Sequence, residues 1–290
     1  MADQILWTSA DGKLTNLTDM TAGYFHLGDG TTGLASPTYD MVTDQYASTD
    51  GVTVQAIRAE ARTLTLGLMI RGETKAEFRD KARALVRDMR PKAGMGTLSV
   101  LNEVGESRSI GCYYAGGLEG DRSRAVNGVG LHWKFVAQFY APDPWWLGNE
   151  RTVRFGLGAP VPFFPIPPVT LSASTVQGQF ALDLSEMDAP AYPVWTVTGP
   201  GSALTLANLS TGRSLTVNVI LAAGESLVID TRPNRESVRL GSGTNAMPNV
   251  VGYPDLWPLV EGVNSLSVTL TGATAATLIE GLYRPRYAGA

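Results

Sequence analysis

Through the first half of the chain, apolar and polar residues alternate. Leu64, Leu66, Leu68 and Ile70 fall on one side of an extended segment, with Thr63, Thr65, Met69 and Arg71 on the other. This two-residue period marks a half-buried strand. It returns at Leu98 and Val100, and at Ile110, Cys112 and Tyr114 after the polar turn at Glu103–Glu106. The longest run is Val129, Leu131, Trp133, Phe135, Ala137 and Phe139. Strands apolar on one side only predict antiparallel pairing. One segment changes period: Phe78, Ala82, Leu85, Val86 and Met89 share one face of a helix over 74–89. Thr74 followed by Glu77 predicts a capping box, and Pro91 ends the helix. The opposite face carries Lys75, Arg79, Asp80, Lys81, Arg83, Arg87 and Asp88. That face reads as solvated or, alternatively, as a basic surface for a partner.

The second half holds short strand patterns at Val194–Val197, Leu204–Leu206, Leu215–Val219, Ser226–Ile229, Val238–Leu240 and Leu266–Leu270. Gly, Asn, Asp and Pro punctuate them, which predicts a β-sandwich. A weak helical pattern at Ala275–Leu282 is the one competitor. Between the halves, the segment 159–169 contains five prolines and favours an extended polyproline-II linker or edge segment. Only Pro37 and Pro91 precede residue 142, and the last lysine is Lys134. These shifts predict domains at 1–150 and 151–290.

Composition narrows the class. A chain of 290 residues fits two domains at about 100–200 residues each. With 44% hydrophobic and 17% charged residues it is too apolar for disorder. Gly 32 and Pro 17 without a repeating period exclude collagen and predict many tight turns. A net charge of −4 argues against counterion-driven nucleic-acid binding. The lone Cys112 excludes an intramolecular disulfide framework and a Cys-only zinc site. The start lacks the basic and apolar regions of a secretory leader, and no segment has the run of about 18 apolar residues that a membrane span needs.

Catalytic motifs are absent. No Gly-x-Ser-x-Gly elbow, P-loop or strand–Gly-x-Gly-x-x-Gly–helix unit occurs. His26 is expected in a loop and His132 on the polar side of the longest strand, both as ordinary histidines. Cys112 takes an inward strand position, where a thiol acts as a small hydrophobe. Asp183, Glu186 and Asp188 read as a polar loop. No catalytic residue, cofactor or metal is expected, and the protein is not expected to be an enzyme. Aromatic residues offer more. Trp145 and Trp146 are expected to plug the junction between the domains. Tyr253 and Trp257, on a turn-rich loop with Asp255 as an acceptor, suit stacking on a sugar ring. A core or structural-loop role and a protein interface stand beside that reading.

The order of elements resembles a known family. Leu98-Ser-Val100, Arg108–Tyr114, Gly117-Leu-Glu119 and the ending Phe139-Tyr-Ala-Pro-Asp-Pro-Trp-Trp146 resemble the N-terminal domain of siphovirus distal tail (Dit) proteins. Asp188–Pro193, Thr198-Gly-Pro200, Asn208, Gly224–Thr231 and Leu259–Asn264 resemble their C-terminal domain. Ser185-Glu-Met-Asp188 departs from the family's usual Asn-x-Gly-Asp lead-in. The galectin His-x-Asn-x-Arg motif does not occur. The resemblance implies a mainly β protein: an N-terminal β-barrel or sandwich-like domain with one amphipathic α-helix, then a galectin-like β-sandwich. It implies a homo-hexameric ring at the distal end of a phage tail, assembled in the host cytoplasm. Its partners would be the tail tube protein, the tail hub or tail-associated lysin, and tail fibres or receptor-binding proteins, with DNA passing through the ring without specific binding. From another class comes the reading of a carbohydrate-binding module that anchors the tail tip to host surface glycans.

Overall fold

The computed structural model describes residues 3–48, 50–119, 131–156 and 175–290. The proline-rich segment 159–169, and with it the expected linker, lies outside the described residues, as do Gly120 and Val129. The chain forms two units: residues 1–149 with 287–290, and residues 150–286. The last four residues therefore belong to the first unit, although the sequence pattern assigned them to the second.

In the first unit the strands are β1 (Gln4–Thr8), β2 (Leu14–Asn16), β3 (Tyr24–Thr32), β4 (Tyr39–Asp44), β5 (Thr53–Ala59), β6 (Arg62–Arg71), β7 (Gly96–Leu101), β8 (Ser107–Gly116), β9 (His132–Ala141) and β10 (Trp146–Leu147). The helix α1 (Lys75–Asp88) follows β6. The main sheet runs β2-β1-β7-β8-β9-β6-β3. β6 and β9 pair antiparallel from Arg62↔Ala141 to Arg71↔His132. That register sets Leu64, Leu66, Leu68 and Ile70 opposite Phe139, Ala137, Phe135 and Trp133, and all eight are buried. Because the side-chain period is two, any one-residue slip would turn this apolar set toward water.

Helix α1 covers part of this core with Phe78, Ala82 and Leu85, and Met89 follows at its C-cap. Val86, expected on the same face, is exposed, since it lies at the margin of the apolar stripe. Thr74 caps the helix, its Oγ1 accepting from the Glu77 N–H at 3.2 Å. Glu77 reaches the N–H of Glu73 rather than that of Thr74, at 2.8 Å. Gly72 allows the close approach, since a Cβ there would lie 2.6 Å from the Phe78 nitrogen. Trp7 Nε1 donates to the Asp88 carbonyl at 3.1 Å, tying the first strand to the end of the helix.

The second unit contains β11 (Arg151–Gly156), β12 (Thr175–Asp183), β13 (Val194–Thr198), β14 (Gly201–Asn208), β15 (Arg213–Leu221), β16 (Ser226–Asp230), β17 (Ser237–Leu240), β18 (Val263–Thr271) and β19 (Leu278–Tyr283). A further short strand, β20 (Arg286–Tyr287), joins the first unit's sheet through β10. Two antiparallel sheets, β11-β19-β13-β16-β17 and β12-β18-β14-β15, enclose one core. Its members include Trp195, Val197, Leu204, Leu206, Val217, Ile229, Leu266, Val268 and Ile279. All six expected strands are present, and the fold is mainly β with one α-helix among the described residues, as expected. Ala275–Leu282 is not helical. It enters β19, whose Ile279, Gly281 and Tyr283 alternate into the core. Gly281 admits the Trp195 ring, which would stand 2.5 Å from any Cβ at that position. The strands β11 and β12 carry weaker alternation and were not expected.

Two family-like motifs have a physical role here. Asp230 accepts from Arg232 Nε at 2.9 Å and Nη2 at 2.6 Å, and Thr231 Oγ1 donates to the Pro193 carbonyl at 2.7 Å. Asn208 and Asn264 are both fully buried, with Asn208 Nδ2 donating to Asn264 Oδ1 at 2.8 Å. Asn264 also accepts from the Val260 N–H at 2.9 Å and donates to the Val260 carbonyl at 2.7 Å, holding the loop before β18.

Candidate functional site

Strands β4 and β5 form a two-stranded sheet of their own. Their register places Tyr39 opposite Ala59 and Met41 opposite Ile57 on one side, with Asp40 opposite Arg58 and Val42 opposite Ala56 on the other. Neither side is buried. Tyr39, Met41, Val42, Val54 and Ile57 are all exposed, Ile57 at 60%. Arg58 Nη2 and Asp40 Oδ2 form an ion pair at 2.9 Å. Beyond the strands, the tip adds exposed Tyr46 and Val52, flanked by Asp44 and Asp50, with Gly51 at φ +87°. An isolated hairpin is marginally stable in water, and soluble chains rarely gather this much exposed apolar surface without a use for it. Sequence reasoning missed this arm. Its signal was the run Val52-Thr-Val-Gln-Ala-Ile57 after Asp50-Gly51, but β-propensity there does not say whether either face will be covered.

At Trp257 the loop takes the core reading rather than the stacking one. Trp257 is 3% exposed and belongs to the sandwich core, its ring centroid 6.1 Å from that of Trp195. It offers no face to a sugar, because its apolar rings contribute more to the core than to a surface loop. Asp255 is engaged by the Arg213 guanidinium, with Nε donating to Oδ2 at 3.1 Å and Nη2 pairing with Oδ1. Only Tyr253, 91% exposed, projects from the loop. Of the two tryptophans expected at the domain junction, Trp146 is fully buried in the core of the first unit, and its Nε1 finds no acceptor among the described residues. Trp145 is half-buried, and its backbone N–H donates to Asp143 at 3.4 Å.

No catalytic constellation forms from the candidate nucleophile and bases. Cys112 is buried, and desolvation pushes its thiol up to about 12, so it holds its proton at neutral pH. His26 lies within β3 rather than in a loop; its Nε2 is 2.9 Å from Thr31 Oγ1 and burial lowers its pKa. Among the described residues, no group of three or more His, Cys, Asp or Glu could hold a metal ion. Nor, among the described residues, is any helix long and apolar enough to cross a membrane.

Fold and sequence both resemble phage tail proteins. Residues 187–287, nearly all of the described sandwich after β12, match the family model described as siphovirus-type tail component, C-terminal domain. The resemblance to siphovirus distal tail (Dit) proteins is thereby shown. The whole chain is similar in fold to the Dit protein of phage SPP1, described as a paradigm of the hub adsorption apparatus in phages infecting Gram-positive bacteria. The TM-score is 0.67 at 16% identity, covering 99% of this chain and 100% of that one. It is also similar to a chain of the phage P2 baseplate in its activated conformation with calcium, with a TM-score of 0.55, 10% identity and 98% of each chain covered. The strontium form of that baseplate gives 0.52 at 10% identity, covering 97% of this chain and 98% of that one. Among curated protein sequences nothing matches.

Proposed function

We propose that this protein is a structural component of the distal end of a phage tail, where its first unit builds a homo-hexameric ring. The observation that carries this reading is the β4–β5 hairpin, which exposes apolar residues on both sides and pairs only with itself. In a ring the same two surfaces meet head to tail at every junction, so an arm left uncovered in one subunit is covered by the next. Burying Tyr39, Met41, Val42 and Ile57 in this way supplies the apolar area that a stable junction requires. Such a ring would link the tail tube protein to the tail hub or tail-associated lysin, and the sandwich units would carry fibres or receptor-binding proteins. DNA would pass through the ring without specific binding, in keeping with the net charge of −4.

Mass measurement over a concentration series tests the reading. The wild type is expected to assemble with about sixfold symmetry at high concentration, and Met41→Lys/Ile57→Lys to remain monomeric. Equal assembly by both would refute it. Host-glycan binding keeps one supporting feature, the exposed ring of Tyr253. A glycan array whose signal Tyr253→Ala removes would favour that reading over a purely structural sandwich.

A further inference from the structure

The outward face of α1 carries a ladder of cations. Lys75, Arg79, Arg83 and Arg87 follow one another at intervals of four residues, all exposed, and exposed Arg90 and Lys92 extend the basic surface past the helix. Like charges at that spacing are neighbours on a helix and destabilise it, so the ladder works against the isolated subunit. The acids beside it balance it only in part. Glu77 pairs with Lys81, which is itself turned inward to donate to the Arg71 carbonyl at 3.1 Å. Asp88 is nearly buried and held by Lys13, 3.7 Å from Arg87 on its other side. Asp80 remains, 3.9 Å from Arg83 with both side chains almost fully solvated, an arrangement of little energetic consequence. Lys75 and Arg79 have no acidic partner among the described residues. Within this basic surface, Val86 is 41% exposed.

The tip of the β4–β5 hairpin has the complementary character. Asp44 and Asp50 are exposed and unpaired among the described residues, and they flank exposed Tyr46 and Val52. One surface is basic around an apolar centre; the other is acidic around an apolar centre. The chain thus carries both halves of an electrostatically matched pair, which is what a head-to-tail contact between identical copies requires.

We infer that the cationic face of α1 is the docking site for the hairpin tip of a second copy of this chain, with Arg79 and Arg83 facing Asp44 and Asp50 and with Val86 covered by Tyr46 or Val52. The inference rests on the ring reading and names the surface that receives the arm.

Charge reversal and cross-linking test it together. Arg79→Glu/Arg83→Glu is expected to weaken self-association by about tenfold or more, because like charges are then juxtaposed across the contact. Adding Asp44→Lys/Asp50→Lys in the same chain should restore it. Both pairs of sites are exposed, and Glu is as good a helix former as Arg, so the variants should fold, with circular dichroism as the check. In parallel, an equimolar mixture of Arg83→Cys and Asp50→Cys chains should form a disulfide-linked dimer that neither variant forms alone; Cys112 is buried and does not compete. If the wild type assembles but reversal has no effect and no mixed dimer forms, this inference is overturned while the ring reading stands. If the wild type fails to assemble at any concentration, both fall.

Discussion

Tyr287 provides the sharpest test of how the first unit is closed. It is 7% exposed and packs into that unit's core, although it lies more than 130 positions from the nearest other core residue in sequence. The Arg108 guanidinium carbon stands 4.0 Å above its ring, and Arg108 Nη1 donates to the Gly289 carbonyl at 2.8 Å. Arg62, itself buried, donates through Nη2 to the Ala288 carbonyl at 2.7 Å and through Nη1 to the Gly33 carbonyl at 3.1 Å. The Ala290 N–H donates to the Leu34 carbonyl at 2.9 Å. Tyr287→Ala removes the aromatic that anchors this strap. Truncation of a buried aromatic costs about 3–5 kcal/mol, and the lost cation–π contact accounts for about 0.5–2 kcal/mol of that. For a unit of this size, such a loss lowers the melting temperature by on the order of 10 °C. Hydrogen exchange read separately for the two units is the assay. Protection should fall in β6 and β9 and stay unchanged in β13 and β16. Tyr253→Ala, at a fully solvated ring, should change stability by no more than about 0.5 kcal/mol. A loss below about 1 kcal/mol for Tyr287→Ala, or loss confined to the second unit, would refute the assignment of the strap to the first.

Asn264→Leu strands the buried Asn208 amide and both polar groups of Val260, and it should destabilise the sandwich by about 2–4 kcal/mol in denaturant titration, whereas a surface Asn218→Leu should not. Burial raises the pKa of Asp230, but the hydrogen bonds and charge of Arg232 outweigh it and hold the carboxyl below its usual value. Its contribution is therefore complete above the ordinary Asp range and is lost as pH falls through the lower folded value. Asp230→Asn should lower the sandwich's stability by a constant amount at pH 7–9 and flatten the acid limb of its stability profile. Cys112, with its thiol pushed up to about 12, should resist a thiol reagent at pH 8 until the first unit unfolds; rapid labelling of the native protein would contradict its burial.

What was legible in the sequence depended on one-sided burial. Leu64–Ile70 and Trp133–Phe139 alternate because only one side of each strand meets a core, so period, face and antiparallel pairing could all be read. The helix was legible for the same reason at a period of 3.6, and only Val86, at the edge of its stripe, was misplaced. The hairpin escaped because neither of its faces is buried within one chain, and its residues carry no period to distinguish an arm from a loop. Trp257 stayed open between core and surface because an aromatic between Pro254 and Pro258 has the same local sequence whether it turns inward or outward. Trp146 was assigned to a junction from its position at a boundary, yet it fills the core of the first unit.

The sequence by itself determined the mainly β class, the sandwich character of the second half, the single helix and the lack of a catalytic motif, since each is set by residue types within a few positions of one another. Only the tertiary structure decided that the chain's last residues close the first unit, that Arg62 and Arg108 hold them, and that Lys13 pairs with Asp88 at the end of α1. Each of these joins residues far apart in sequence, where side-chain reach and register, rather than local period, determine which groups meet.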